Sequence, residues 1–156
     1  MKGKTEVLEV LQKMLKEELG AISQYMLHGE MCENWGYKRL ADHTKKSSVE
    51  EMKHAEKLIE RLLYLEGTPN LGELPKLSIG KDVKLQLQND LALELSAVAA
   101  YNGAVAAARK VGDNGSADLL QGILEDEEGH VDFLETQLGL IEQIGLENYL
   151  SQQLSE

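Results

Sequence analysis

Apolar residues recur at three- and four-residue steps along most of this chain, the spacing of a helix with one buried face. Leu8, Leu11, Leu15, Ile22 and Tyr25 line the first such stretch, over residues of about 5–34. Asn34, Trp35 and Gly36 break it, with Trp35 and Gly36 capping the turn. Leu40, Leu58, Leu62 and Leu65 then mark a second face over about 36–65, which stops at Gly67. A third face runs through Val83, Leu87, Leu91, Val98, Tyr101 and Val105 over about 82–111 and ends at Gly112-Asp113-Asn114-Gly115. A fourth, with Leu120, Ile123, Leu134, Leu138 and Ile141, covers about 116–143. Beyond Gly145, Leu146, Tyr149, Leu150 and Leu154 predict a short fifth helix over about 146–154, too small to bury its apolar face alone and so expected to dock on another element.

Breakers concentrate between residues 66 and 81, where Gly67, Pro69, Asn70, Gly72, Pro75 and Gly80 fall close together. Sixteen extended residues reach roughly 50 Å, enough to travel the roughly 42 Å of a helix of about 28 residues. Helices two and three can therefore run parallel. Short turns at the first and third connections with one long crossover in the middle make a ferritin-like four-helix bundle, as opposed to an up-down-up-down bundle. The fold class is all-α, and 1–156 is expected to be a single domain.

Composition agrees and narrows the partners. The chain of 156 residues is enough for one core, its only prolines lie at 69 and 75, and an aromatic content of 4% argues against a β-rich interior. A formal net charge of −11 disfavours nucleic acid and anionic membrane, both of which attract basic patches, and favours cations. Cys32 is the sole cysteine, which excludes an intrachain disulfide and a CxxC thiolate cluster. Residues 1–10 carry Lys2, Lys4, Glu6 and Glu9 rather than an apolar signal segment, and no spanning segment is expected, so a cytoplasmic protein with no membrane partner is the expectation.

Each of the four long apolar faces is interrupted where its period calls for a hydrophobe. Glu18 lies three residues after Leu15 and four before Ile22, and Glu94 lies three after Leu91 and four before Val98, so both point where their neighbours point. Glu51 with His54, and Glu127 with His130, place a carboxylate and an imidazole one turn apart on one face. A single Glu-x-x-His would be read as a solvated helix surface. Two of them, plus one glutamate on each remaining helix, all on the buried faces, are not read that way. Four carboxylates in a core repel one another and resist desolvation, so cations must compensate. Two divalent ions balance four carboxylates, and mixed oxygen and imidazole ligands suit iron, manganese or zinc. This is the ligand set described for di-iron bundles.

On those residues the chain resembles a bacterioferritin over its whole length. The most family-like stretches are Glu50-Glu51-Met52-Lys53-His54-Ala55, Leu65-Glu66-Gly67-Thr68-Pro69-Asn70-Leu71, Asp90-Leu91-Ala92-Leu93-Glu94 and Asp126-Glu127-Glu128-Gly129-His130. The resemblance implies iron storage in a cytoplasmic homo-oligomer, a shell of 24 subunits built from dimers. It implies a ferroxidase that takes iron(II) and oxygen or peroxide as small-molecule substrates and draws on a ferredoxin-type reductant for iron release. Two iron ions per subunit would be held by Glu18 and Glu94 as terminal ligands, Glu51 and Glu127 as bridging ligands, and His54 and His130 as one imidazole each. At a separation of roughly 3.5–4 Å two such ions can each supply one electron. Haem b, one per subunit pair, would take Met52 from each subunit as axial ligand; residue spacing alone reads Met52 as a partly buried methionine.

One departure stands out: many bacterioferritins have His-Glu where this chain has Lys46-Ser47. That histidine and a following carboxylate, here Glu50, form an iron site on the inner shell surface, and lysine is a poor ligand. Tyr25 on the first seam is a candidate redox or hydrogen-bonding partner of the centre, and equally an ordinary buried tyrosine. Cys32, Met26 and Met31 read as packing or interface residues, and His28 and His43, outside the Glu-x-x-His pattern, as surface positions. Two other readings use similar ligands. A rubrerythrin-like di-iron peroxidase is weakened by the lone Cys32, and a haem-carrying electron-transfer bundle is weakened by the retention of all six metal-binding side chains.

Overall fold

The computed structural model describes residues 1–155; Glu156 of the expected 1–156 domain lies outside them. Five helices follow in order: α1 (Thr5–Asn34), α2 (Lys38–Tyr64), α3 (Val83–Lys110), α4 (Asn114–Ile144) and α5 (Leu146–Ser151). The four long ones match the expected spans within two residues at each end. Asp82 and Asp113 set two of the starts. Their carboxylates accept hydrogen bonds from the backbone N–H of Leu85 (2.9 Å) and Ser116 (3.0 Å), so α4 begins two residues earlier than the pattern suggests. Gly36 and Gly145, at φ +90° and +85°, make the breaks after α1 and α4 in a backbone region that other residues avoid.

The core is split in two. One apolar cluster gathers Leu11 and Leu15 of α1, Leu58 and Leu62 of α2, Tyr101 and Ala108 of α3, and Leu120 and Ile123 of α4. The other gathers Cys32, Leu40 with Ala41, Val83 with Leu87, and Leu134 with Ile141. On α1 and α4 the first cluster comes first along the chain; on α2 and α3 it comes second. Helices α2 and α3 therefore run parallel, and α1 and α4 run opposite to them, as the long crossover requires. The interrupting glutamates and histidines all fall between the two clusters, so each long helix contributes to one polar layer across the middle of the bundle.

Residues 66–81 run along α1 in the same direction as that helix, held by successive side chains. Gln12 exchanges two hydrogen bonds with the backbone of Asn70 (2.8 and 2.9 Å), Gln24 accepts from Ser78 N–H (3.1 Å), and His28 Nε2 accepts from Gly80 N–H (3.0 Å). At Gly20 the fit leaves no room for a side chain, because a Cβ there would lie 2.4 Å from Pro75 Cγ.

This strap corrects the expectation that His28 is a surface residue. His28 is wholly buried, with Nδ1 2.9 Å from Asp90 and Nε2 under Gly80. Helical period locates faces that pack on other helices; it is blind to a face covered by an extended segment. His43 is also not free on the surface: it is half-buried and stacks on Phe133, with centroids 3.6 Å apart. Cys32 is buried as expected and Met31 half-buried, whereas Met26 is exposed within the subunit.

The short α5 docks on α4 through buried Tyr149, whose hydroxyl donates to Gln137 (2.8 Å). It ends at Ser151, earlier than expected, and Leu154 is exposed. The chain leaves the helix there because the Gln153 carbonyl accepts from Arg39 N–H (3.0 Å) at the start of α2, where no side chain caps the helix. The expectation that no segment could span a membrane also needs correcting, since α3 is long and apolar enough by length and composition, at a mean hydropathy of 1.4. Its place is nevertheless in the bundle, where it buries Gln86, Asp90 and Glu94.

Candidate metal centre

The polar layer brings together all six residues singled out on the apolar faces. Glu18, Glu51, Glu94 and Glu127 are at most 2% exposed, and His54 is equally buried. Ligand-type atoms of Glu18, Glu51, His54 and Glu127 lie within 4.8 Å of one another, and so do those of Glu51, Glu94, Glu127 and His130. The two groups share Glu51 and Glu127. That is the arrangement of two adjacent cation sites with two carboxylates common to both.

The imidazoles face inward through the same atom. His54 Nδ1 is 3.2 Å from Glu51, 3.4 Å from Glu127 and 3.5 Å from Glu18. His130 Nδ1 is 3.3 Å from each of Glu51, Glu94 and Glu127. Behind them, His54 Nε2 lies 2.9 Å from Asp126 and His130 Nε2 lies 2.7 Å from Glu50. The Tyr25 hydroxyl donates to Glu94 (2.6 Å) and the Tyr101 hydroxyl to Glu18 (2.7 Å).

These pairs expose a symmetry that the apolar pattern hides. Glu18 and Glu94, Tyr25 and Tyr101, Glu50 and Asp126, Glu51 and Glu127, and His54 and His130 are each 76 positions apart. The helix pairs α1–α2 and α3–α4 thus supply equivalent halves, and each tyrosine reaches across to the other half's glutamate. Tyr101, Asp126 and the His130 contact of Glu50 escaped the sequence reading. Tyr101 sits on the seam as one more large residue, and Glu50 and Asp126 precede a glutamate by one position and so turn about 100° off its face. The repeat of spacing at offset 76 was the available signal.

Electrostatics decide whether the cluster can stand alone. Among the described residues, seven fully buried side-chain atoms lack a hydrogen-bond partner, and they belong to Glu18, Glu51, His54, Glu94 and Glu127. At about 1–3 kcal/mol each, such atoms would together cost on the order of 10 kcal/mol, as much as the whole stability of an ordinary domain at about 5–15 kcal/mol. Oxygen and imidazole atoms crowded at these distances fit metal ions as their missing partners, and the donor set suits iron, manganese or zinc.

Without metal the protons redistribute. Burial raises Glu51 well above the usual carboxylate range, reinforced by Glu18, Glu94 and Glu127. Burial also lifts Glu127, to about 7, against the lowering pull of the His130 imidazole 3.3 Å away. For the histidines burial alone would depress the pKa, but the carboxylates outweigh it and raise His54 to about 9 and His130 to about 12. Burial, with Glu94 beside Tyr25 and Glu18 beside Tyr101, lifts both phenols well above their ordinary value, so both stay protonated donors.

Comparison with known proteins agrees with this geometry. The sequence pattern that defines the ferritin-like domain matches residues 8–144. The chain is 48% identical to a bacterioferritin of Brucella melitensis over 149 residues, which cover 96% of this chain and 92% of that protein. It is 43% identical to a bacterioferritin of Mycolicibacterium paratuberculosis over 155 residues, 99% of this chain and 98% of the other. It is 44% identical to one of Rhodobacter capsulatus over 149 residues, 96% and 92%. Within the ferritin-like class, the chain belongs to the bacterioferritin family.

The proton redistribution has a measurable consequence. Glu127, His54 and His130 all bind protons more tightly folded than unfolded, so the folded state holds more protons and stability falls as pH rises. For the chelator-stripped protein, the contribution of Glu127 and His54 is complete below their ordinary values of 4.5 and 6.5 and is lost as pH passes their folded values of about 7 and 9. Thermal unfolding at intervals between pH 5 and 9 should show a falling midpoint in stripped protein and a much flatter profile after zinc(II) loading. Equal slopes in the two forms would contradict the account.

Proposed function

We propose that this protein stores iron, oxidising iron(II) to iron(III) at the buried centre and keeping the ferric product inside a hollow shell of its own copies. The observation that carries the proposal is the pair of four-residue groups with Glu51 and Glu127 in common, where the unpartnered buried atoms gather. Glu18 and Glu94 serve as terminal ligands, Glu51 and Glu127 as bridges, and His54 and His130 as one imidazole each. Iron is here the substrate. Two iron(II) ions give up one electron each, and one dioxygen with two protons becomes hydrogen peroxide.

The protein's own part is positional. Carboxylate-rich ligands favour the higher charge of iron(III), and the burial of all four carboxylates, at most 2% exposed, strengthens that preference. Tyr25 and Tyr101, protonated and hydrogen-bonded to Glu94 and Glu18, orient the terminal carboxylates so that one oxygen of each is turned inward. Tyr25 is also placed to exchange a proton or an electron with the centre through Glu94.

Assembly and haem belong to the same proposal. Membership of the bacterioferritin family supports a homo-oligomeric shell, for which we propose 24 subunits; a cytoplasmic location and a ferredoxin-type reductant for iron release complete the proposal. Met52 projects away from the centre and is 46% exposed, which suits a thioether offered to a haem b shared with a second subunit.

In stopped-flow absorbance, metal-free protein should take up two iron(II) per subunit and oxidise them in a fast phase that Glu51→Ala abolishes. Oxidation at the uncatalysed rate by the unmodified protein would defeat the ferroxidase assignment. Haem, quantified by its pyridine adduct, should amount to one per two subunits and be lost in Met52→Leu; unchanged haem in that variant would remove Met52 from the axial role.

A further inference from the structure

We infer that Glu50 and Asp126 are positioning residues that act crosswise. Each holds the outer nitrogen of the histidine on the opposite helix, so that the inner nitrogen faces the shared carboxylates Glu51 and Glu127. The inference rests on the two-metal reading above and adds to it the residues that aim the imidazoles.

Both acids line one cleft of about 500 Å³ between α2 and α4, which has His54 and His130 among its walls. Glu50 Oε2 lies 2.7 Å from His130 Nε2, and Asp126 Oδ2 lies 2.9 Å from His54 Nε2. A carboxylate at that distance accepts from Nε2–H. With the proton kept on Nε2, the lone pair for a metal is left on Nδ1, and Nδ1 is the atom that faces three carboxylates in both histidines. Each acid immediately precedes the shared glutamate of its own helix, so one turn of α2 supplies both a metal-facing carboxylate and the grip on the α4 histidine. The matching turn of α4 does the reverse.

This gives Glu50 a different task from the one its resemblance implies. An auxiliary iron site would need a second ligand near it, and position 46 carries an exposed lysine. The same cleft also presents Lys53 and Lys57, which oppose cation binding at its surface. Glu50 is instead committed to His130, the more exposed of the two imidazoles at 12% against 3%. Removing Glu50 should therefore affect the ion on the His130 side, and removing Asp126 the ion on the His54 side.

Cobalt(II) titration of the chelator-stripped full-length protein, followed by visible absorption with a competing chelator, tests this without iron oxidation. The unmodified protein should bind two cobalt(II) ions per subunit. Glu50→Ala should weaken one of them roughly 10- to 100-fold and shift its absorption bands. Glu50→Gln, whose amide oxygen still accepts from Nε2–H, should restore most of that loss, and Asp126→Ala should weaken the other ion. Unchanged affinities and bands in both alanine variants would overturn the inference. So would a third cobalt(II) ion that disappears in Glu50→Ala while the two tight ions stay untouched, because Glu50 would then serve a separate surface site. Failure of the unmodified protein to bind two ions is a different result and strikes the two-metal reading itself.

Discussion

The bundle is organised around the cost of burying four carboxylates in one layer. Glu18, Glu51, Glu94 and Glu127 sit between two apolar clusters, one on each side along the helix axes, with almost no access to water. Apolar burial holds the four helices together above and below the layer and so forces the layer to stay closed. Coulomb repulsion inside it is relieved in part by two histidines that take up protons, and would be relieved more fully by two divalent cations between the carboxylates. The apolar clusters thus maintain the electrostatic tension that a metal resolves, and the affinity for metal is the counterpart of that tension.

The crossover strap follows from the same constraint. Glu51 and Glu127 face each other from α2 and α4, which run in opposite directions, while α3 lies parallel to α2. The chain therefore has to return along the full length of α1. Gln12, Gln24 and His28 fix that return by binding strap backbone, and Asp90 ties Gln24 and His28 to α3 at 2.8 and 2.9 Å. This second buried network lies one turn from Glu94 and holds α1 and α3 in register near the centre.

Much of this was legible in the sequence because helix packing writes a strong period. Four apolar faces, their polar interruptions and a breaker-rich crossover define the bundle and the six inward side chains. What stayed hidden acts off that period. Tyr101 occupies a seam position, where a tyrosine and a leucine look alike until the hydroxyl is seen to meet Glu18. Glu50 and Asp126 point to the cleft wall, where solvated glutamates are common, and only the crossing of α2 and α4 reveals their imidazole partners. His28 lies under an extended segment, whose contacts leave no helical pattern. The end of α5 depends on a carbonyl finding the open start of α2, a long-range contact that local propensity does not encode.

The central claim is that two metal ions share Glu51 and Glu127. Anomalous X-ray diffraction from crystals soaked anaerobically with iron(II), recorded on both sides of the iron absorption edge, tests it most directly. Two peaks per subunit should lie roughly 3.5–4 Å apart, one beside Glu18 and His54, the other beside Glu94 and His130, with Glu51 and Glu127 touching both. A single peak, or peaks only on the subunit surface, would contradict the account.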